Sequence, residues 1–364
     1  MSRPDHLWGT MKALVLSGGT GTRLRPFTYS MAKQLLPVAN KPVLRHCLEA
    51  VRGAGITEVG VVVGDHHDQI RDAFGDGSGD GVRITYIEQP WPAGLAHAVL
   101  LARDFLGDDD FMMYLGDNIV AGGLTAAASD FGAHRPEVKL LVSKVDDPSR
   151  YGIAEFDASG RVFGLAEKPA EPRGDFAIMG IYFFTPAIHE AIARIRPSAR
   201  GELEITDAIG EVMLAGGVVT AEEHTGYWRD AGTVDDLLDC NRFVLSGMRG
   251  ETLGERDRHS VLRGEVLVEP GAKIIRSEVH GPAIVGADSV VEDSQIGPGT
   301  AIGRGCLLSG VQVEGSVLLD GAAVRGACGI RDSLIGRHAE VIGGRGRSGT
   351  RLRIGDHAFV ELAA

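Results

Sequence analysis

The sequence predicts an α/β domain with a mixed, mainly parallel sheet, followed by a parallel β-helix of hexapeptide repeats. Three observations predict it. Over residues 11–245 apolar strand-like runs alternate with amphipathic helical patterns. After about residue 260 an aliphatic residue recurs near every sixth position, followed by small or polar residues that include glycine. Between them "SGMRGETLGERDRHS" is polar and rich in turn formers, so residues 246–260 read as a linker and 261–362 as the β-helix domain.

In order, "KALVLS", "EVGVVVG", "RITYIEQ" and "FMMYLGD" are the first strands. Between them, "KPVLRHCLEAVRGAG" opens with a proline suited to a first helical turn and closes on glycine. "GLAHAVLLARDFLG" carries leucine, valine and phenylalanine at helical spacing. In such sheets ligands bind at the carboxyl ends of the strands, where the unusual residues cluster: the Gly18 loop, Glu88-Gln89-Pro90 and Gly116-Asp117-Asn118. In the second half Val285, Val291, Ile302 and Leu308 repeat at or near multiples of six, while Ile296, Val313 and Leu319 slip by one.

At 364 residues and 44% hydrophobic content the chain is long enough for two domains with proper cores. No run of apolar residues reaches membrane-spanning length, and "MSRPDHLWGT" lacks the apolar core of a signal peptide. The expected location is cytoplasmic, without membrane contact. Cys47, Cys240, Cys306 and Cys328 have no CxxC spacing and read as reduced packing residues. A formal charge of −12 argues against non-specific nucleic-acid binding. The dense basic cluster Arg345, Arg347, Arg351 and Arg353 sits among glycines and reads as a solvated loop.

The stretch "VLSGGTGTRLRPFTYSMAKQLLPV" fits neither standard phosphate loop. No Gly-Lys-Ser/Thr follows Gly18 or Gly21 at Walker spacing, and no third glycine completes a dinucleotide fingerprint. What remains is physical. Gly18, Gly19 and Gly21 let backbone N–H groups approach an anion closely, and Arg23, Arg25 and Lys33 supply positive charge and donors.

Together "LSGGTGTRLRPFT", "KQLLPVANKPV", "EQPWPAGLAHA", "LGDN", "YGIAEFD", "EKP", "ARGELEITDAI" and "YWRDAGT" resemble the glucose-1-phosphate thymidylyltransferases, within the wider sugar-nucleotidyltransferase family. The long form of these enzymes adds a C-terminal left-handed β-helix to a Rossmann-like catalytic domain. The resemblance implies a reaction in which glucose 1-phosphate attacks the α-phosphate of dTTP, giving dTDP-glucose and pyrophosphate for deoxysugar biosynthesis. Because the attacking oxygen is already an anion, no general base is needed; positioning and charge neutralisation are.

The resemblance carries nucleotide binding onto Leu16, Gly18, Gly19, Gly21, Thr22, Arg23, Gln89, Gly94 and Asp117, with Gln89 and Gly94 reading the pyrimidine. It carries sugar-phosphate binding onto Tyr151, Gly152, Glu167 and Lys168. Asp117 and Asp230 would share one magnesium ion, the expected cofactor. Arg23, Lys33, Asp117, Lys168 and Asp230 are the implied catalytic set. All of them precede residue 245, so the β-helix is expected to contribute assembly or stability, with a homo-oligomer as the partner expectation. His66, His67 and His97 read as structural. Two alternatives stand beside this reading: a uridylyltransferase acting on UTP and a hexose or N-acetylhexosamine 1-phosphate, and a non-catalytic regulatory subunit.

Overall fold

Strand β1 (Lys12–Ser17) is buried at every position after its first, as are β2 (Glu58–Val63) and most of β4 (Phe111–Leu115). Strands covered on both faces need continuous apolar runs, and these segments supply them. The computed structural model describes residues 11–327, 329–343 and 349–363. The expectations for residues 1–10, Cys328, Arg345 and Arg347 lie outside the described residues.

With β3 (Arg83–Glu88), β5 (Val138–Lys144), β6 (Gly152–Phe156), β7 (Val162–Glu167), β8 (Phe176–Phe184) and β9 (Val219–Glu223), they form a nine-stranded sheet among the described residues. Its order is β7-β6-β8-β4-β1-β2-β3, with β5 also pairing β8 and β9 pairing β5. The sheet is mixed, as expected. Strands β4-β1-β2-β3 are mutually parallel, while β8 runs antiparallel to β4, β5 and β6, and β6 to β7. The first predicted helix is α1 (Val43–Gly53); the second breaks at Ala102 into α2 (Leu95–Leu101) and α3 (Arg103–Leu106). Leu14, Met113, Phe184, Ile188 and Ile209 anchor the core of this unit, each fully buried.

After α4 (Val234–Ser246) the chain winds through three parallel sheets, the left-handed β-helix expected from the hexads. The slipped positions have a geometric cause. Ile274, Val291 and Leu308 stack in one sheet, Val279, Ile296 and Val313 in another, and the coils that join them are one residue short of three hexads. Buried serines mark the corner where the residue is missing. The Ser277 N–H donates to Ser260 Oγ at 3.1 Å and the Ser294 N–H to Ser277 Oγ at 3.0 Å, each across 17 residues.

One expectation about domain boundaries is corrected. The segment 246–260 is not a free linker: Glu251–Thr252, Glu255–Arg256 and Val261–Arg263 pair with the next coil and form the first turn of the β-helix. Its exposed polar residues face outward from short strands, which is why it reads as loop. Packing does not follow sequence order through residues 11–245. The chain packs as one compact unit up to Thr20 plus Leu44–Arg229, and a second of Gly21–Val43 plus Asp230 onward.

Polar tethers hold Gly21–Val43 to the β-helix. Asn40 Nδ2 donates to Ile302 O at 2.7 Å, and the fully buried Asn241 accepts from the Ala39 N–H at 2.8 Å and donates to Gly299 O at 2.9 Å. Ser30 Oγ donates to Asp356 Oδ2 at 2.8 Å. The β-helix therefore carries the loop that bears Arg23 and Lys33. Of the basic cluster, Arg351 and Arg353 pair with Asp332 and Asp235 rather than standing free. Cys47, Cys240 and Cys306 are buried, and burial pushes the Cys47 and Cys306 thiols upward, consistent with packing roles.

Candidate active site

Parallel register assembles the first part of the site. Ser17 pairs with Val63, Val63 with Glu88, and Leu16 with Leu115 on the other flank, so Gly18, Gly64, Gln89 and Gly116 leave the sheet side by side at its carboxyl edge. Side chains do not fit there. A Cβ on Gly18 would lie 2.9 Å from Gln89 Oε1, one on Gly64 2.8 Å from Gly18 O, and one on Gly116 2.6 Å from Ser17 Oγ. Gly64 went unassigned in the sequence because "EVGVVVG" runs into it without a break.

Asp117 follows directly, half-buried, and its charge adds to the burial that raises the Cys47 thiol. Leu16 is buried beneath this edge and Gly19 is exposed on it.

Gly94 precedes α2 at φ +103°, where a Cβ would lie 2.3 Å from Leu203 O. The Leu203 N–H donates to Ala93 O at 2.8 Å, and Leu203 O accepts from the Ala96 N–H at 3.1 Å, so the 203 backbone locks the entry to the helix. Gly94 O in turn accepts from Gln89 Nε2 at 3.2 Å. The two predicted base-reading residues thus touch each other.

On the antiparallel side, Glu167 at the end of β7 pairs with Gly152 at the start of β6, and a Cβ on Gly152 would lie 3.1 Å from Glu167 Oε2. Lys168 follows at φ +42°; its N–H donates to Tyr151 O at 3.0 Å, and its Nζ is 3.5 Å from Glu167 Oε1. The Tyr151 ring lies 5.4 Å from that of Trp228. These four predicted sugar-phosphate residues form one cluster.

Sequence reasoning missed part of this cluster. Arg200 Nη1 is 3.3 Å from Glu167 Oε1 and 3.7 Å from the buried Glu204, which accepts from Ser198 Oγ at 2.8 Å. Burial pushes the Glu204 carboxyl up, against the opposing pull of Ser198 and Arg200. The motif "ARGELEITDAI" held the signal, but its charges connect to Glu167 only through tertiary contact.

The second unit gathers the other predicted residues. Gly21, at φ +62°, packs where a Cβ would meet Thr28 Cγ2 at 2.9 Å and Lys33 Cβ at 3.1 Å, and Thr28 Oγ1 donates to Gly21 O at 2.8 Å. Thr22–Leu24 is a short helical turn carrying Arg23, whose Nη2 is 3.6 Å from Asp230 Oδ2. A Cβ on Gly232 would strike both, 2.7 Å from Arg23 Nη2 and 2.8 Å from Asp230 Oδ1. The predicted phosphate-binding Arg23 and the predicted metal ligand Asp230 thus come together from two distant segments, the turn Thr22–Leu24 and the strand end before Gly232.

Among the described residues no three His, Cys, Asp or Glu side chains form a metal-binding group. Asp117 and Asp230 offer carboxylate oxygens alone. Taken singly, each is the kind of oxygen donor that magnesium accepts beside water and substrate phosphates.

A family model described as nucleotidyl transferase matches residues 12–247. The glucose-1-phosphate thymidylyltransferase of Streptomyces griseus is 50% identical over 97% of this chain and 100% of its own length. That of Streptomyces antibioticus is 49% identical, covering 97% and 99%. Among solved structures, a Bacillus anthracis protein assigned as a glucose-1-phosphate thymidylyltransferase, in complex with a sucrose, superposes with a TM-score of 0.62 at 36% identity. That match covers 66% of this chain and 98% of the other.

Proposed function

Because the chain belongs to the nucleotidyl transferase family, we propose that it transfers the thymidylyl group of dTTP to glucose 1-phosphate, giving dTDP-glucose and pyrophosphate for deoxysugar biosynthesis. The observation that carries this reading is the match over 97% of the chain to a glucose-1-phosphate thymidylyltransferase at 50% identity.

A phosphate oxygen of the sugar phosphate forms a bond to the α-phosphorus while the bond to the β-phosphate oxygen breaks, and pyrophosphate leaves with that electron pair. The reacting groups carry several negative charges, so the work lies in alignment and neutralisation. Backbone N–H groups of Gly18, Gly19 and Gly21, with Thr22, hold the triphosphate over Leu16, and Arg23 and Lys33 offset its charge. Gln89 and Gly94 hold the base. Glu167 accepts the sugar hydroxyls, Lys168 meets the sugar phosphate, and Tyr151 and Gly152 line the same pocket. Asp117 and Asp230 would hold magnesium, whose charge would stabilise the α-phosphate and the departing pyrophosphate.

The packing of Gly152, Glu167, Lys168 and Arg200 supports the sugar-phosphate assignment, and the Arg23–Asp230 pair supports the phosphate assignment. A cytoplasmic homo-oligomer is part of the same reading; among the described residues no helix is long and apolar enough to cross a membrane.

Label transfer tests the reaction. With dTTP labelled at the α-phosphate, all label should pass to dTDP-glucose; with label at the γ-phosphate, all should appear in pyrophosphate. Label from the γ-position in orthophosphate would contradict the reading.

A further inference from the structure

Gln89 has only one free direction. Its backbone N–H donates to Val63 O at 2.8 Å, fixing the residue at the end of β3, and its side chain runs between the Gly18 loop and α2. At one end of the amide, Nε2 lies 3.2 Å from Gly94 O and 3.1 Å from His97 Nδ1. At the other, Oε1 sits 2.9 Å from the position a Gly18 Cβ would take. The orientation of the amide follows from chemistry: Gly94 O can only accept, so the nitrogen must face it.

A primary amide has two N–H bonds. With one on Gly94 O and the other on His97 Nδ1 as acceptor, both donors are spent inside the protein. What remains toward the glycine loop is a carbonyl oxygen that only accepts. The His97 ring is held in place by Trp91, stacked with centroids 5.9 Å apart and planes 23° apart.

We propose that His97 is a positioning residue for base selection: by taking the second amide proton of Gln89 it keeps Oε1 presented as a pure acceptor, which admits bases with a ring N–H. Thymine and uracil offer N3–H at that edge. Cytosine offers an unprotonated N3 and adenine an unprotonated N1, and each sets a lone pair against the Gln89 oxygen. Without His97, one of the two bonds opposing a flip of the amide is gone, and a flipped amide donates to cytosine. This inference rests on the proposed role of Gln89 at the base.

The test compares kcat/KM for dTTP and dCTP, with glucose 1-phosphate, in the wild type, His97→Phe and His97→Asn. Phenylalanine keeps a ring beside Trp91 but no acceptor; asparagine restores an acceptor close to the position of Nδ1. In His97→Phe the dTTP-to-dCTP ratio should fall roughly tenfold, the value of about one hydrogen bond, and His97→Asn should recover most of it. An unchanged ratio, with kcat/KM falling equally for both nucleotides, means that His97 only packs and overturns the inference. So does His97→Asn behaving like His97→Phe. If His97→Phe does not fold, His97→Leu is judged by the same ratio. A wild type that itself prefers dCTP or ATP would instead overturn the base-reading role of Gln89.

Discussion

Asp230→Asn should lower turnover about a hundredfold or more, and Asp117→Asn should do the same, which is the scale of losing one preorganised electrostatic group at a phosphoryl centre. The substitution keeps the shape and removes one charge. At Asp230 that charge does two things: it faces Arg23 across 3.6 Å in a turn so tight that Gly232 has no room for a Cβ, and in the proposed mechanism it holds magnesium. The two roles separate experimentally. Loss of a metal ligand raises the magnesium concentration needed for half-maximal rate, whereas a misplaced Arg23 raises the KM for the nucleotide with little change in metal demand. Steady-state rates across a magnesium series measure both. A near-normal rate for Asp230→Asn at limiting magnesium would remove this aspartate from the mechanism.

Gly94→Ala should be the most damaging change of a single small residue in the proposed base pocket. Its φ of +103° already disfavours an L side chain, and the added Cβ would lie 2.3 Å from Leu203 O and 2.7 Å from Leu203 N. Both are backbone atoms already engaged in hydrogen bonds to Ala93 and Ala96, so neither can yield without opening the start of α2. The expected cost is about 3 kcal/mol of stability, from strained backbone conformation and broken packing together. Gln89 loses its seat on Gly94 O at the same time, so affinity for dTTP should fall more than affinity for glucose 1-phosphate. Thermal unfolding and the two dissociation constants measure this. Equal loss for both ligands would mean that the glycine serves the fold alone.

Much of the site was legible because parallel strands of similar length end in register. Once the four apolar runs are strands, Gly18, Gln89 and Gly116-Asp117 must leave the sheet along one edge, and the structure puts them there. The hexad period likewise gives a β-helix from sequence, since each buried aliphatic residue stacks on its counterpart one coil away. The one-residue slip was visible, but its cause, a corner closed by Ser260, Ser277 and Ser294, needs the coil in three dimensions.

What escaped depends on contacts between distant segments. Nothing in "GLAHAVL" announces that His97 meets Gln89, because a lone histidine on a helix has no spacing signal. Arg200 reaches Glu167 across 33 residues. The loop 21–43 reads as part of the catalytic domain by sequence order, yet Asn40 and Asn241, through buried or half-buried bonds, and Asp356, through an exposed one, tie it to the β-helix in a way that no periodicity records. The loop that bears Arg23 and Lys33, both proposed to offset the charge of the triphosphate, therefore packs with the β-helix.

The central claim, a thymidylyltransferase acting on glucose 1-phosphate, is tested most directly by kcat/KM for dTTP, UTP and ATP measured with that sugar phosphate under identical magnesium. Thymine differs from uracil at the base by one methyl, which an apolar pocket distinguishes by only about 10–200-fold. A purine asks more, because Gln89 and Gly94, already in contact, would have to admit a second ring and leave buried polar groups unpaired. The account predicts dTTP as the best substrate, UTP measurable but poorer, and ATP nearly inert. A preference for UTP or ATP would contradict the thymidylyl assignment, and absence of turnover with every nucleotide would contradict the enzyme itself.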